Sequence, residues 1–197
     1  MSGEPQISAI ILAAGASSRM GRPKLNLPWR DGRSVIGQVV HVLAQASLAE
    51  ILLVGGKTPL HGVTDWPVHL LHNPDPQFAD MLGSLQCGLR AAAQQSTAAL
   101  VVLGDQPQIE LEVVKALLAQ YAAGPVPLLL PSYQMRRGHP WLIDRSLWPA
   151  ALELQPPQTL RDLLQSHVGK IAYLNVDTPS VLQDLDTPED YERFRSA

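Results

Sequence analysis

A single cysteine, Cys87, is all the chain contains, so no intrachain disulfide can staple the fold and no multi-cysteine zinc site can form. Charge is sparse as well. Only 17% of residues are Asp, Glu, Lys or Arg and the net charge is -3, which excludes the general basic surface that nucleic acid or an anionic membrane would require. No run approaches the roughly 20 consecutive apolar residues of a membrane-spanning helix. Residues 1–6 lack a basic stretch leading into an apolar one, so no secretion signal is expected and a cytoplasmic protein is. The N-terminal loop ends in no Gly-Lys-Ser/Thr and carries no Gly-x-Gly-x-x-Gly, which removes the Walker and dinucleotide-binding signatures from it.

What is present is hydrophobic and globular. With 46% hydrophobic residues in 197, the chain can bury a substantial core as one domain spanning residues 1–197. Apolar runs of strand length recur at Ile7–Ala13, 51–54, 68–71, Ala98–Leu103, 126–130, 141–143 and 171–176. Several do not alternate, as expected of strands covered on both faces. Between them, Val35, Ile36, Val39, Val40 and Leu43 follow helical spacing, as do Leu82, Leu85, Leu89 and Ala92, and Leu111, Val114, Leu117, Leu118 and Tyr121. This alternation predicts a three-layer α/β/α fold with a mostly parallel, mixed sheet. A monomer is the default expectation.

In such sheets ligands gather beyond the carboxyl ends of the strands. Two stretches fall there. After the first strand come the small residues Ala13, Ala14, Gly15, Ala16, Ser17 and Ser18, then Arg19, Arg22 and Lys24. Small residues let backbone N–H groups approach an anion, and Arg19 and Lys24 would add full charges. An ordinary strand–helix turn with solvated basic residues fits the chemistry equally well. After Ala98–Leu103 comes Gly104-Asp105-Gln106-Pro107, where Asp105 is either a turn or cap residue or a ligand for Mg²⁺, an ion that needs few protein ligands. Near the C-terminus, Thr187 and Pro188 read as the N-cap and first residue of a helix. His69 and His72, three apart on a strand, make a poor metal pair. Cys87 reads as a small buried hydrophobe.

The arrangement Leu12-Ala13-Ala14-Gly15-x-Ser17-x-Arg19-Met20-Gly21-x-Pro23-Lys24 resembles the signature loop of nucleotidyltransferases related to molybdopterin-guanine dinucleotide synthase. Its Ala-Ala-Gly form and Pro-Lys most resemble the molybdenum cofactor cytidylyltransferase branch, as does Leu103-Gly104-Asp105-Gln106-Pro107. The resemblance runs over nearly the whole chain and implies a Rossmann-like nucleotidyltransferase fold, with a nucleotide-binding part at about 7–107 and an acceptor-binding part at about 108–197. It implies that Leu12, Ala13, Ala14, Gly15, Arg19, Lys24, Asn73, Ser84 and Asp105 bind the nucleotide, with Lys24, Arg19 and Asp105 catalytic. It further implies Mg²⁺ on Asp105 and Asp186, with Asp186 preferred to Asp184. Gln106, Arg137, His139 and Arg161 would meet the acceptor. Two segments depart from the family pattern. Asp80 and Gly83 precede Ser84 where the family carries a glycine and a hydroxyl residue, and residues 156–159 replace a glycine-rich stretch before Arg161.

The implied reaction is attack by a terminal phosphate of molybdopterin on the α-phosphorus of CTP, releasing pyrophosphate; a recipient molybdoenzyme or its chaperone is a further implied partner. A phosphate monoester has a second pKa of about 6, so the nucleophile is largely ionised near neutrality and needs no general base. The alternatives are a sibling enzyme using GTP or a sugar phosphate, a non-catalytic carrier of the molybdenum cofactor, and a redox enzyme, since a related branch of the family is so named.

Overall fold

The computed structural model describes residues 4–15, 20–73 and 80–196. The chain runs β1 (Ile7–Ala13), α1 (Val35–Leu43), β2 (Glu50–Gly55), β3 (His69–His72), α2 (Met81–Ala91), β4 (Ala98–Leu103) and α3 (Leu111–Ala123). It continues through β5 (Leu128–Tyr133), β6 (Arg136–Arg137), β7 (Trp141–Asp144), α4 (Trp148–Glu153), α5 (Leu160–Ser166), β8 (Ile171–Asn175) and α6 (Pro188–Ser196). The strands lie side by side as β3-β2-β1-β4-β7-β5-β6, and β8 pairs with β5. The β1, β2, β3 and β4 pairings are parallel, as is β5 with β8, whereas β7 runs antiparallel to both β4 and β5. The sheet is thus mixed, in an α/β Rossmann-like fold.

Alternate residues of one strand feed two cores. Ile7, Ala9, Ile11 and Ala13 of β1 pack with Ile36, Val40, Val114, Leu117 and Tyr191, so α1, α3 and α6 cover that face. Ile10 and Leu12 turn the other way, toward Leu82, Leu85 and Leu89 of α2 and Trp148, Ala151, Leu163 and Leu164 of α4 and α5. Burial on both faces is why β1 and β4 read as continuous apolar runs. Cys87 is only half-buried on α2, against the second core, and burial pushes its thiol up. Among the described residues no helix is long and apolar enough to cross a membrane.

β1 and β4 fall where the sequence puts them, but the strand expected at 126–130 is Leu128–Tyr133. Pro131 lies inside β5, opposite a bulge. Ser132 faces Arg137 while Leu129 faces Leu142, so three steps along β5 match five along its neighbours and two extra residues bulge out at 138–140. Gly138 closes that bulge, donating its N–H to the Pro131 carbonyl at 2.9 Å. A Cβ there would lie 2.4 Å from the Val181 carbonyl oxygen, so only glycine fits.

Candidate active site

β1 leads one way along the sheet to β2 and β3, and β4 lies on its other side, so the sheet reverses direction between β1 and β4. Ligands of open α/β sheets bind in the crevice at such a point. Leu12 and Leu103 are paired there, and the Gly104 N–H reaches the Leu12 carbonyl at 3.0 Å, bringing the two loops together. Leu12 and Ala13 are buried, Ala14 is half-buried and Gly15 is exposed. Gly56, at the end of β2, lets the chain close on this turn, since a Cβ on it would lie 2.9 Å from the Ala14 carbonyl oxygen. Ala16, Ser17, Ser18 and Arg19, which the sequence reading assigns to the same loop, lie outside the described residues.

Lys24 opens a single 3₁₀ turn, Lys24–Asn26, and its ammonium ties three distant pieces of chain. Nζ donates to Asp105 Oδ2 at 2.5 Å and to the Leu185 carbonyl at 2.8 Å, and lies 3.8 Å from Asp186 Oδ1. The Leu185 N–H in turn reaches the Asp105 carbonyl at 3.0 Å. α6 braces both sides of this knot. Thr187 and Asp190 form a reciprocal cap, with the Thr187 N–H donating to Asp190 Oδ2 at 2.9 Å and the Asp190 N–H to Thr187 Oγ1 at 3.2 Å. Tyr191 donates its hydroxyl to the Pro28 carbonyl and packs on Trp29 with ring centroids 6.1 Å apart. The N-cap expected at Thr187 is therefore where the sequence puts it.

Asp184 takes a different partner from Asp186. The fully buried Gln106 donates Nε2 to Asp184 Oδ1 at 2.9 Å. Burial pushes the Asp184 carboxyl up and the Asp105 and Asp186 charges push the same way, against the Gln106 bond. Gln106, expected to meet the acceptor, has its amide nitrogen on Asp184. Asp184 also lines a cavity of about 1000 Å³ with Leu82, Arg137, His139, Trp141 and Arg161. His139 stacks on Trp141 at 4.5 Å between centroids and 12° between planes. Its Nε2 is buried without a hydrogen-bond partner among the described residues, and burial pulls its pKa down to about 4. It is therefore neutral at pH 7, an acceptor or stacking surface rather than a charge for phosphate. Arg137 lies over the Tyr173 ring at 5.6 Å, and Arg137 and Arg161 are both exposed.

The α2 segment resolves its two departures. Asp80 is the N-cap, accepting from the Gly83 N–H at 2.8 Å, and Ser84 is buried with its hydroxyl donating to the Asp80 carbonyl at 2.8 Å. The Ser84 hydroxyl expected at the nucleotide is thus engaged inside the first turn of the helix. Asn73 follows β3, its N–H on the Gly55 carbonyl at 3.3 Å, and residues 74–79 lie outside the described residues. Sequence reasoning missed the Gln106–Asp184 pair and the Leu185 carbonyl; nothing in the local sequence signals a hydrogen bond between residues 78 positions apart.

A divalent cation suits this chemistry. Two carboxylates already bracket one cation, the Lys24 ammonium, although no group of three or more His, Cys, Asp or Glu residues is gathered for a metal among the described residues. That count is compatible with Mg²⁺, which keeps several waters and takes further oxygens from phosphate.

Comparison with known proteins places this site in a family. The chain is 27% identical over 189 residues to the molybdenum cofactor cytidylyltransferase of Escherichia coli K12, covering 94% of this chain and 93% of that protein. It is 29% identical over 200 residues to nicotine blue oxidoreductase of Paenarthrobacter nicotinovorans, covering 96% and 97%. Among solved structures, Rv0371c from Mycobacterium tuberculosis H37Rv superposes with a TM-score of 0.81 at 26% identity, covering 99% of this chain and 100% of that one. The same protein in complex with manganese gives 0.75 at 26% identity, covering 98% and 99%. The MobA-like NTP transferase domain matches residues 9–171, which takes in Lys24, Asp105 and the 138–140 bulge, and the chain belongs to that family.

Proposed function

We propose that the protein transfers CMP from CTP to the terminal phosphate of molybdopterin, releasing pyrophosphate, with Mg²⁺ as its metal. The observation that carries this reading is the Lys24–Asp105–Asp186 cluster at the β1/β4 crevice, set beside a cavity that shares the Asp184 wall. In the transfer an acceptor phosphate oxygen forms a bond to the α-phosphorus, the bond from that phosphorus to the β-phosphate bridging oxygen breaks, and pyrophosphate carries the electron pair away. No proton need be removed, because the acceptor phosphate is largely ionised at pH 7 with a second pKa of about 6. That agrees with a cleft whose lining histidine, His139, is neutral and stacked.

The protein's own work is to hold two anions in line and to offset charge on the leaving group. Ala13, Ala14 and Gly15 bring backbone close to the triphosphate, Lys24 supplies a point charge to its phosphates, and Arg19 joins it from the same loop. Asp105 and Asp186 would hold Mg²⁺, which supplies Lewis-acid neutralisation of the phosphate oxygens. The manganese complex of a relative at 26% identity supports a divalent ion. Arg137 and Arg161 at the cavity rim suit an anionic acceptor, and the His139–Trp141 stack suits a planar ring system.

CTP is preferred on the Ala14 form of the loop and on residues 103–107, both of which follow the cytidylyltransferase branch. The test is pyrophosphate release with molybdenum-loaded molybdopterin and each of CTP, GTP, ATP and UTP. Fastest release with CTP is expected. Faster release with GTP overturns the base, turnover only with a sugar phosphate overturns the acceptor, and reduction of a dye without pyrophosphate release would favour the oxidoreductase relative.

A further inference from the structure

We propose that Lys24 is the built-in counterion of the metal position, so that a divalent cation gains Asp105 only as a nucleotide draws the lysine away. The inference rests on the metal assignment above and deepens it. Lys24 Nζ sits 2.5 Å from Asp105 Oδ2 and 3.8 Å from Asp186 Oδ1. A Mg²⁺ ion coordinates carboxylate oxygen at about 2.0–2.1 Å, so metal and ammonium on the same oxygen would be two cations in repelling contact. The lysine is well seated: its side chain is 13% exposed and it also donates to the Leu185 carbonyl at 2.8 Å. The Asp105 backbone is held as well, since the Leu185 N–H returns to its carbonyl. Serving both cations would require the Asp105 carboxylate to leave its 2.5 Å contact with the ammonium.

A triphosphate changes the balance, because its oxygens offer Lys24 an alternative anion within the same crevice. Once the ammonium turns to phosphate, it leaves Asp105 Oδ2, and a divalent ion can take that oxygen. Metal and nucleotide thereby favour one another, and by linkage the coupling is the same in either direction. A consequence is protection: without nucleotide, the lysine keeps adventitious divalent ions off the carboxylates.

The test reads metal binding directly, as the loss of the free Mn²⁺ electron paramagnetic resonance signal on titration with the full-length protein and no nucleotide. Lys24→Met should bind Mn²⁺ more tightly than the parent, by a factor in the range of about 5–150 that coupled sites show. Lys24→Gln, which is less apolar in this half-buried position, should do the same if the methionine variant folds poorly. Unchanged or weaker binding in the folded variants overturns the inference, because a lysine that serves only phosphate has no effect when phosphate is absent. Adding Asp105→Asn to Lys24→Met should abolish the gain. If the double variant keeps it, the ion is not on Asp105, and the metal assignment falls together with the inference; if Asp105→Asn alone weakens Mn²⁺ binding while the Lys24 variants leave it unmoved, the assignment stands and only the inference falls.

Discussion

At the ends of β1 and β4 an ammonium lies between two carboxylates, while a few residues along the same C-terminal segment Asp184 faces a cavity walled by Leu82, Trp141 and an uncharged histidine. The first region is assembled from pieces up to 161 positions apart and works through charge. The second is shaped by the 138–140 bulge and by α2 and α5, and works through shape and stacking. Gln106 and Asp184 form the wall between them. The contrast separates two jobs: fixing phosphate chemistry, which any triphosphate presents alike, and choosing the acceptor, which differs from enzyme to enzyme.

The largest expected effect tests the charged region. Asp105→Asn should lower kcat by about 100-fold or more, the scale of several kcal/mol of lost charge stabilisation. Its thermal midpoint should stay within about 4 °C of the parent, because Asp105 is partly exposed and its ion pair is a modest stabiliser. Lys24→Ala should lower kcat by about tenfold or more with a smaller change in the KM for CTP, as expected when the charge acts on the leaving pyrophosphate. Equal activity in either variant would remove the distinction between the two regions.

The next effect tests the shaped region. Gly138→Ala forces a methyl group against Val181 and should cost about 1–3 kcal/mol, as overpacking does. A thermal melt would register this at roughly 2–4 °C per kcal/mol. If the bulge shapes only the cavity, the KM for the acceptor should rise while that for CTP holds. A matched rise in both would show that the two regions are not separable.

The last effect is a pH dependence. His139 titrates at about 4 in the fold and at its ordinary 6.5 when unfolded. Between those values the unfolded chain binds the extra proton, so its contribution to stability is fully present above pH 6.5 and is lost as pH falls toward 4. The gap in thermal midpoint between the parent and His139→Gln should therefore move against the parent from pH 6.5 to pH 4. A constant gap would mean the ring is protonated as easily in the fold as outside it.

Much of the fold was legible because β1 and β4 are apolar on both faces and end in small or acidic residues, and those two strands carry the crevice. The β5 boundary was hidden by Pro131, whose missing N–H reads as a stop until the bulge that excuses it is known. The Thr187 cap was readable because its signal is local. The partners of Asp184 and Lys24 were not, since each spans most of the chain and depends on how the C-terminal segment returns to β4. Gln106 illustrates the same limit, since its bond to Asp184 joins residues 78 positions apart. Arg19 and residues 74–79 were read only as sequence.

The bond from Lys24 to the Leu185 carbonyl also sets a schedule for synthesis. The 161 positions between them take roughly 8–30 s to translate at about 5–20 residues per second. Only the last 80 of those positions follow Asp105, so for roughly 4–16 s at that rate the nascent chain can pair β1, β2, β3 and β4 and present Lys24 with Asp105 alone. The crevice closes only when the last strand and helix are made, so a ribosome that stalls before residue 185 leaves a chain with most of its sheet and none of its finished phosphate site.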